Sequence, residues 1–137
     1  MNCCRFFPAD LTARCRGTAG SVWRSCWPRA SELIEQRLSA RDPGFVSVVT
    51  MAEAVWVLER AYRVGAPQIA AVIEQMLQTD ALVVEDEQEV FTAMIALKEG
   101  RGAFADALIG ALGAKAGCAR TLTFDQKALR LPGFAAV

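Results

Sequence analysis

The chain has 137 residues, 53% of them hydrophobic and 22% charged, with 15 basic against 15 acidic side chains and no histidine. That length supports one domain with its own core, and the composition excludes a disordered or fibrous protein. The zero net charge offers no polybasic field for nucleic acid, and no apolar run approaches the roughly 18 residues of a membrane span.

The first 29 residues differ from the remainder. They hold five arginines (Arg5, Arg14, Arg16, Arg24, Arg29) against Asp10, a net charge of +4 that leaves −4 on the rest. Cys3, Cys4, Cys15, Cys26, Trp23 and Trp27 also fall here, and neither helical nor strand periodicity runs through the segment. An adjacent cysteine pair and two single cysteines, in a chain without histidine, lack zinc-ligand spacing. Arg5, Asp10, Arg14 and Arg16 break up any apolar signal-peptide core, so a cytoplasmic protein is expected, in which a disulfide framework is out of place. Two readings of the segment stand: an irregular surface stretch, or GC-rich coding sequence read out of frame.

Regular patterns begin at Ala30. Leu33, Ile34 and Leu38 sit at helical spacing in a helix over residues 30–40, which Asp42-Pro43-Gly44 ends. Residues 45–49 (FVSVV) read as a short buried strand. Thr50-Met-Ala-Glu53 has the pattern of a capping box and opens a helix through Val64, stopped by Gly65. Pro67 starts a helix to about Gln78, with Ile69, Val72, Ile73, Met76 and Leu77 as its apolar stripe. Residues 81–84 (ALVV) form a second strand. Asp86 is placed to cap a helix through Glu99, with Val90, Phe91, Met94, Ile95 and Leu97 inward and Gly100 at its end. A helix over about 104–116, ended by Gly117, precedes a third strand at 120–124 (RTLTF), followed by Asp125 and a short turn before Leu131-Pro-Gly.

Strands separated by helices predict an α/β fold with a mainly parallel sheet covered on both faces, a three-layer α/β/α sandwich. Ligands of such sheets bind beyond the carboxyl ends of the strands. Two acidic residues occupy that edge: Glu53, four residues past the first strand, and Asp125, directly after the third. Asp106 lies in the first turn of the helix that feeds the third strand. Each also has a structural reading, Glu53 in the capping box, Asp106 as a helix-dipole acid and Asp125 as the cap of the last turn.

Taken together, the segments TMAEAVWVL (50–58), FADALI (104–109) and TLTFDQKALRLPG (121–133) resemble the PIN-domain ribonucleases, specifically VapC-like toxins, over about residues 30–137. The resemblance implies a PIN-like sandwich and a metal-dependent endoribonuclease. It makes Glu53, Asp106 and Asp125 catalytic, with Asp106 and Glu53 binding Mg²⁺ or Mn²⁺ directly and Asp125 directly or through water. Its implied partners are an RNA substrate, a cognate antitoxin and a second copy in a homodimer. Such proteins open with a strand ending in an Asp-Thr-Asn-like motif, which this chain lacks; either Asp10 stands in for its acid or that acid is absent, and where a further family acid often sits this chain has Ala103. A catalytically impaired scaffold that still binds its antitoxin is the alternative. A phosphate-binding regulator is disfavoured, because no glycine-rich loop follows any expected strand.

Overall fold

A computed structural model describes residues 36–137. The chain divides into two compact units, Met1–Phe45 with Asp80–Val83, and Val46–Thr79 with Val84–Val137. The described residues hold strand β1 (Gly44–Val46), helices α1 (Val48–Arg60) and α2 (Ala66–Gln78), and strand β2 (Leu82–Val84). Helices α3 (Glu87–Lys98) and α4 (Phe104–Lys115) follow, then β3 (Thr121–Thr123), a 3-10 turn (Ala128–Arg130) and β4 (Phe134–Ala136). The segment 1–29, with Asp10, and most of the helix expected over 30–40 lie outside the described residues.

Within the first unit, Ser39 and Asp42 exchange backbone hydrogen bonds of 3.2 and 3.0 Å, the turn that Asp42-Pro43-Gly44 imposes. The Gly44 N–H donates to Ala81 O at 2.9 Å, and in the second unit Glu85 N–H donates to Val46 O at 2.9 Å. The two bonds advance along both chains in the same direction, so β1 and β2 pair in parallel.

The second unit is built on a helical core. Met51 and Val55 of α1, Ile69 and Ile73 of α2, Val90 and Met94 of α3, and Phe104 and Leu108 of α4 are buried, and α3 packs against both α2 and α4. The inward residues recur at helical spacing, so the apolar stripes read in the sequence do supply the core.

Helix α1 begins earlier than the capping box implied. Its N-cap is Ser47, whose hydroxyl accepts from Thr50 N–H at 3.1 Å. The chain turns out of β1 directly after Val46, so Val48 and Val49 belong to the helix and Glu53 lies in its second turn, beyond reach of a capping box. Glu85, just past β2, adds a second cap by accepting from Val48 N–H at 2.9 Å. The helix ends at Arg60, short of Val64, and Arg63 takes a left-handed φ of 55° before Gly65 caps α2.

Asp86 stands at the N-cap position of α3 but its side chain makes no cap bond, because its backbone is left-handed at φ 51°. Its carboxylate instead accepts from Lys115 Nζ at 2.7 Å, and Glu89 accepts from the same amine at 3.2 Å. Lys115, in the last turn of α4, thereby ties that helix to the start of α3.

Strands β3 and β4 pair in parallel, with Thr121 opposite Phe134 and Thr123 opposite Ala136. Residues 134–136 (FAA) were not legible as a strand. The β3–β4 pair and the β1–β2 pair are separate two-stranded sheets among the described residues. Helix α4 covers one face of β3–β4 through its glycines. A Cβ at Gly110 would lie 2.5 Å from Cε2 of Phe134, and one at Gly113 would lie 3.4 Å from Oγ1 of Thr121. Leu122, on the opposite face, is 61% exposed, and Phe124, in the bend after β3, is 84% exposed.

The Phe134 ring occupies the space a side chain at Gly110 would need. Gly110→Ala is therefore expected to cost about 1–3 kcal/mol of overpacking, offset by up to about 1 kcal/mol of helix propensity. Urea denaturation should show the loss in the wild-type background and its reversal in a Phe134→Leu background.

Candidate functional site

The chain places Asp106 and Asp125 by two different devices. Asp106 is the third residue of α4, whose N-cap is Ala103, so no side chain caps that end and the only acid of the first turn is Asp106 itself. Phe104, two residues before it, is fully buried, anchoring the helix start, and Asp106 remains half-buried. Asp125 follows β3 in an Asx turn: its Oδ1 accepts from Lys127 N–H at 2.8 Å, its own N–H donates to Thr123 Oγ1 at 3.0 Å, and its carbonyl accepts from Ala128 N–H at 3.1 Å. The 3-10 turn itself has Lys127 at its N-cap and no side-chain cap bond, so Asp125 forms an Asx turn ahead of it rather than the expected cap, using one of the two carboxylate oxygens.

These two acids act on each other. The carboxyl of Asp106 is pushed above its ordinary 3.8, first by burial and second by the negative charge of Asp125. A helix N-terminus favours the ionised form of an acid in its first turn. The upward shift means that burial and the like charge outweigh that help.

Glu53 is exposed on α1, a helix that packs against α4. Its sequence-level explanation as a capping-box acid does not apply, since Ser47 begins the helix. Among the described residues no group of three or more acidic, cysteine or histidine side chains stands close enough to hold a metal ion. The structure therefore brings Asp106 and Asp125 into electrostatic contact at the carboxyl end of β3, the edge where the strand rule places a ligand. Asp10 lies outside the described residues.

Lys115 and Glu85 went unremarked in the sequence, and both position the elements that carry the acids. For Lys115 the available signal was Asp86 and Glu89, three residues apart at the start of one helix with a lysine ending the next. Glu85 gave no such signal, because its partner, the Val48 N–H, is 37 residues away in the chain.

The family model of the PIN domain matches residues 27–133 of this chain. No curated protein and no solved structure matches it significantly.

The raised carboxyl of Asp106 has a definite effect on stability. Below its ordinary value the group is protonated whether the chain is folded or unfolded, and it contributes nothing. As pH rises through the raised value, the folded state must ionise a group that the unfolded state has already ionised, so stability falls. Metal-free Asp106→Asn should melt about 1–3 °C above the wild type at pH 7, and thermal melts should show the difference vanishing as pH drops below 4.

Proposed function

The chain belongs to the PIN-domain family, and from that premise we propose that it is a metal-dependent endoribonuclease of the VapC toxin kind. PIN domains are in general nucleases that need divalent metal ions. The observation that carries the reading here is the pair Asp106 and Asp125: partial burial first, and the negative charge of Asp125 second, hold the Asp106 carboxyl above its ordinary value. A cation between them removes both penalties at once.

The donor set fits a hard ion. Carboxylate oxygens select Mg²⁺ or Mn²⁺ over softer metals, and Mg²⁺ normally keeps several waters, so two protein carboxylates suffice to begin a site. Asp106 would hold the ion together with the Asp125 oxygen that Lys127 does not use, and Glu53 on the adjoining α1 is the third ligand of the proposal. When bound, such an ion neutralises charge on the phosphodiester and lowers the pKa of an attacking water. The residues of the chain supply the frame: α4 presents Asp106, the Asx turn orients Asp125, and the absence of histidine from the sequence leaves carboxylates as the proton-accepting groups. In this reading the substrate is RNA, the domain is a three-layer α/β/α sandwich working in the cytoplasm, and a cognate antitoxin and a second copy of the chain are its partners.

A second reading, a catalytically impaired PIN scaffold that retains its antitoxin, is favoured by two observations. The described residues gather no three-carboxylate cluster, and the N-terminal Asp motif of such toxins is missing from the sequence.

Cleavage of a fluorescent single-stranded RNA with Mn²⁺ separates the two. The endoribonuclease reading expects Mn²⁺-dependent cleavage that EDTA abolishes and that Asp106→Asn or Asp125→Asn lowers by at least about 100-fold, the scale of a lost charge-stabilising group. Replacing residues 1–29 with an apolar strand ending in Asp should raise the rate further. Absence of cleavage in both chains would leave the scaffold reading.

A further inference from the structure

The acidic pair shares its rim with an exposed aromatic ring and two cations. Beyond β3 the chain bends at Phe124, makes the Asx turn of Asp125 and enters the 3-10 turn. Phe124 directly precedes Asp125 and is 84% exposed, more than any other large hydrophobic side chain among the described residues. Arg130 N–H donates to Lys127 O at 3.3 Å and Leu131 N–H to Ala128 O at 3.0 Å, the three-residue repeat in which residues i and i+3 share a face. Ala128 and Leu131 are buried, so Lys127 and Arg130 share an outer face, and both are exposed. Leu131 fixes the turn beside the start of α4, since a Cβ at Gly102 would lie 2.9 Å from its Cδ1, and the helix that carries Asp106 begins two residues later. Arg101, in the same loop as Gly102, pairs with Glu99 at 2.6 Å, whereas no ion pair among the described residues engages Lys127 or Arg130.

We propose that Phe124, Lys127 and Arg130 hold the RNA strand at the acidic pair, with Phe124 as a stacking platform for one unpaired base and the two cations as contacts to successive phosphates. An exposed ring flanked by cations is the combination that grips a single strand, because every base has a face to stack and every phosphate a charge to neutralise. The rise of a 3-10 helix sets residues 127 and 130 about 6 Å apart along its axis, the scale on which phosphates follow one another in an extended strand. Two carboxylates alone would repel a phosphodiester, and cations on the same rim offset that repulsion.

All three act by positioning the strand rather than on the reacting atoms. Lys127 serves the acid through its backbone N–H, which donates to Asp125 Oδ1, so its side chain takes no part in orienting that carboxylate. A base already paired and stacked in a duplex does not reach the ring, so the platform favours unpaired over paired segments. The proposal rests on the ribonuclease reading for the identity of its ligand, and its test reads binding rather than cleavage.

Fluorescence anisotropy of a short labelled oligouridine, titrated with the full chain carrying Asp106→Asn in EDTA, reads the platform apart from metal and turnover. Phe124→Ala should weaken binding by at least about 5-fold, and Phe124→Tyr should retain it. An abasic ribose-phosphate oligomer should be insensitive to Phe124→Ala, because it offers no base to stack. Lys127→Gln and Arg130→Gln should each reduce the slope of log affinity against log salt by about 0.7, the contribution of one phosphate of a single strand. Melting temperatures should be unchanged in all four variants, since the side chains are exposed. Affinity indifferent to Phe124→Ala, an equal loss on the abasic oligomer, unchanged salt slopes, or no measurable binding at millimolar concentration, the outcome if the ring serves a protein contact instead, would each overturn the proposal. Cleavage by the otherwise wild-type chain that these variants leave unaltered would also overturn it while the ribonuclease reading stands. The expected binding pattern in a chain that never cleaves would uphold the platform and remove the ribonuclease reading.

Discussion

Helix α4 meets the β3–β4 sheet at Gly110, where the ring of Phe134 occupies the volume that any larger residue would fill. The arrangement of the acidic pair depends on that close approach. Asp106 lies one helical turn before Gly110 on the same helix, and Thr121, in register with Phe134, leads along β3 to Asp125. The glycine contact thus sets the distance between the element that carries one acid and the element that ends in the other. Phe104 fixes the start of the helix in the core, and Lys115 ties its end to Asp86 and Glu89. A helix held at its beginning, middle and end has little freedom to let Asp106 move away from Asp125.

That rigidity has a thermodynamic consequence. Two carboxylates relax their repulsion by separating, by taking up a proton or by binding a cation. The first is opposed by the packing of α4, and the carboxyl of Asp106 is raised from its ordinary value by burial first and by the charge of Asp125 second. Local stability is sacrificed at a place where nothing in the packing requires an acid, a pattern common in sites that bind charged ligands. Asp125 also has a structural use, the Asx turn, which takes only one of its oxygens.

Much of the helical framework was legible in the sequence. The stripe Ile69 and Ile73, the pair Val90 and Met94, and the glycines at 100 and 117 mark α2, α3 and the ends of α3 and α4, because burial and left-handed backbone leave local signatures. Periodicity overstated burial at the margins: Val72 and Phe91 share the apolar faces of their helices yet are about two-fifths exposed, at 43% each. What could not be read were features decided by distant residues. The start of α1 depends on Ser47 and on Glu85, and the fate of Asp86 depends on Lys115. Strand β4 is a run of Phe and two alanines with no alternating pattern, and its pairing is specified by β3 and by the left-handed Gly133. Asp125 was singled out by its position after the third strand and Asp106 by the resemblance of residues 104–109, whereas their mutual influence is a property of the fold. Glu53 shows the converse, since its local pattern suggested a cap at Thr50 that the three-dimensional chain places three positions earlier, at Ser47.

The central claim is that Asp106 and Asp125 share a cation. Paramagnetic broadening of backbone amide resonances by substoichiometric Mn²⁺ locates bound metal directly. If the claim holds, the amides of residues 105–107 and 124–126 broaden first and Mg²⁺ in excess restores them. Broadening centred instead on the carboxylates of α2 and α3, or spread evenly over the acidic surface, would contradict it.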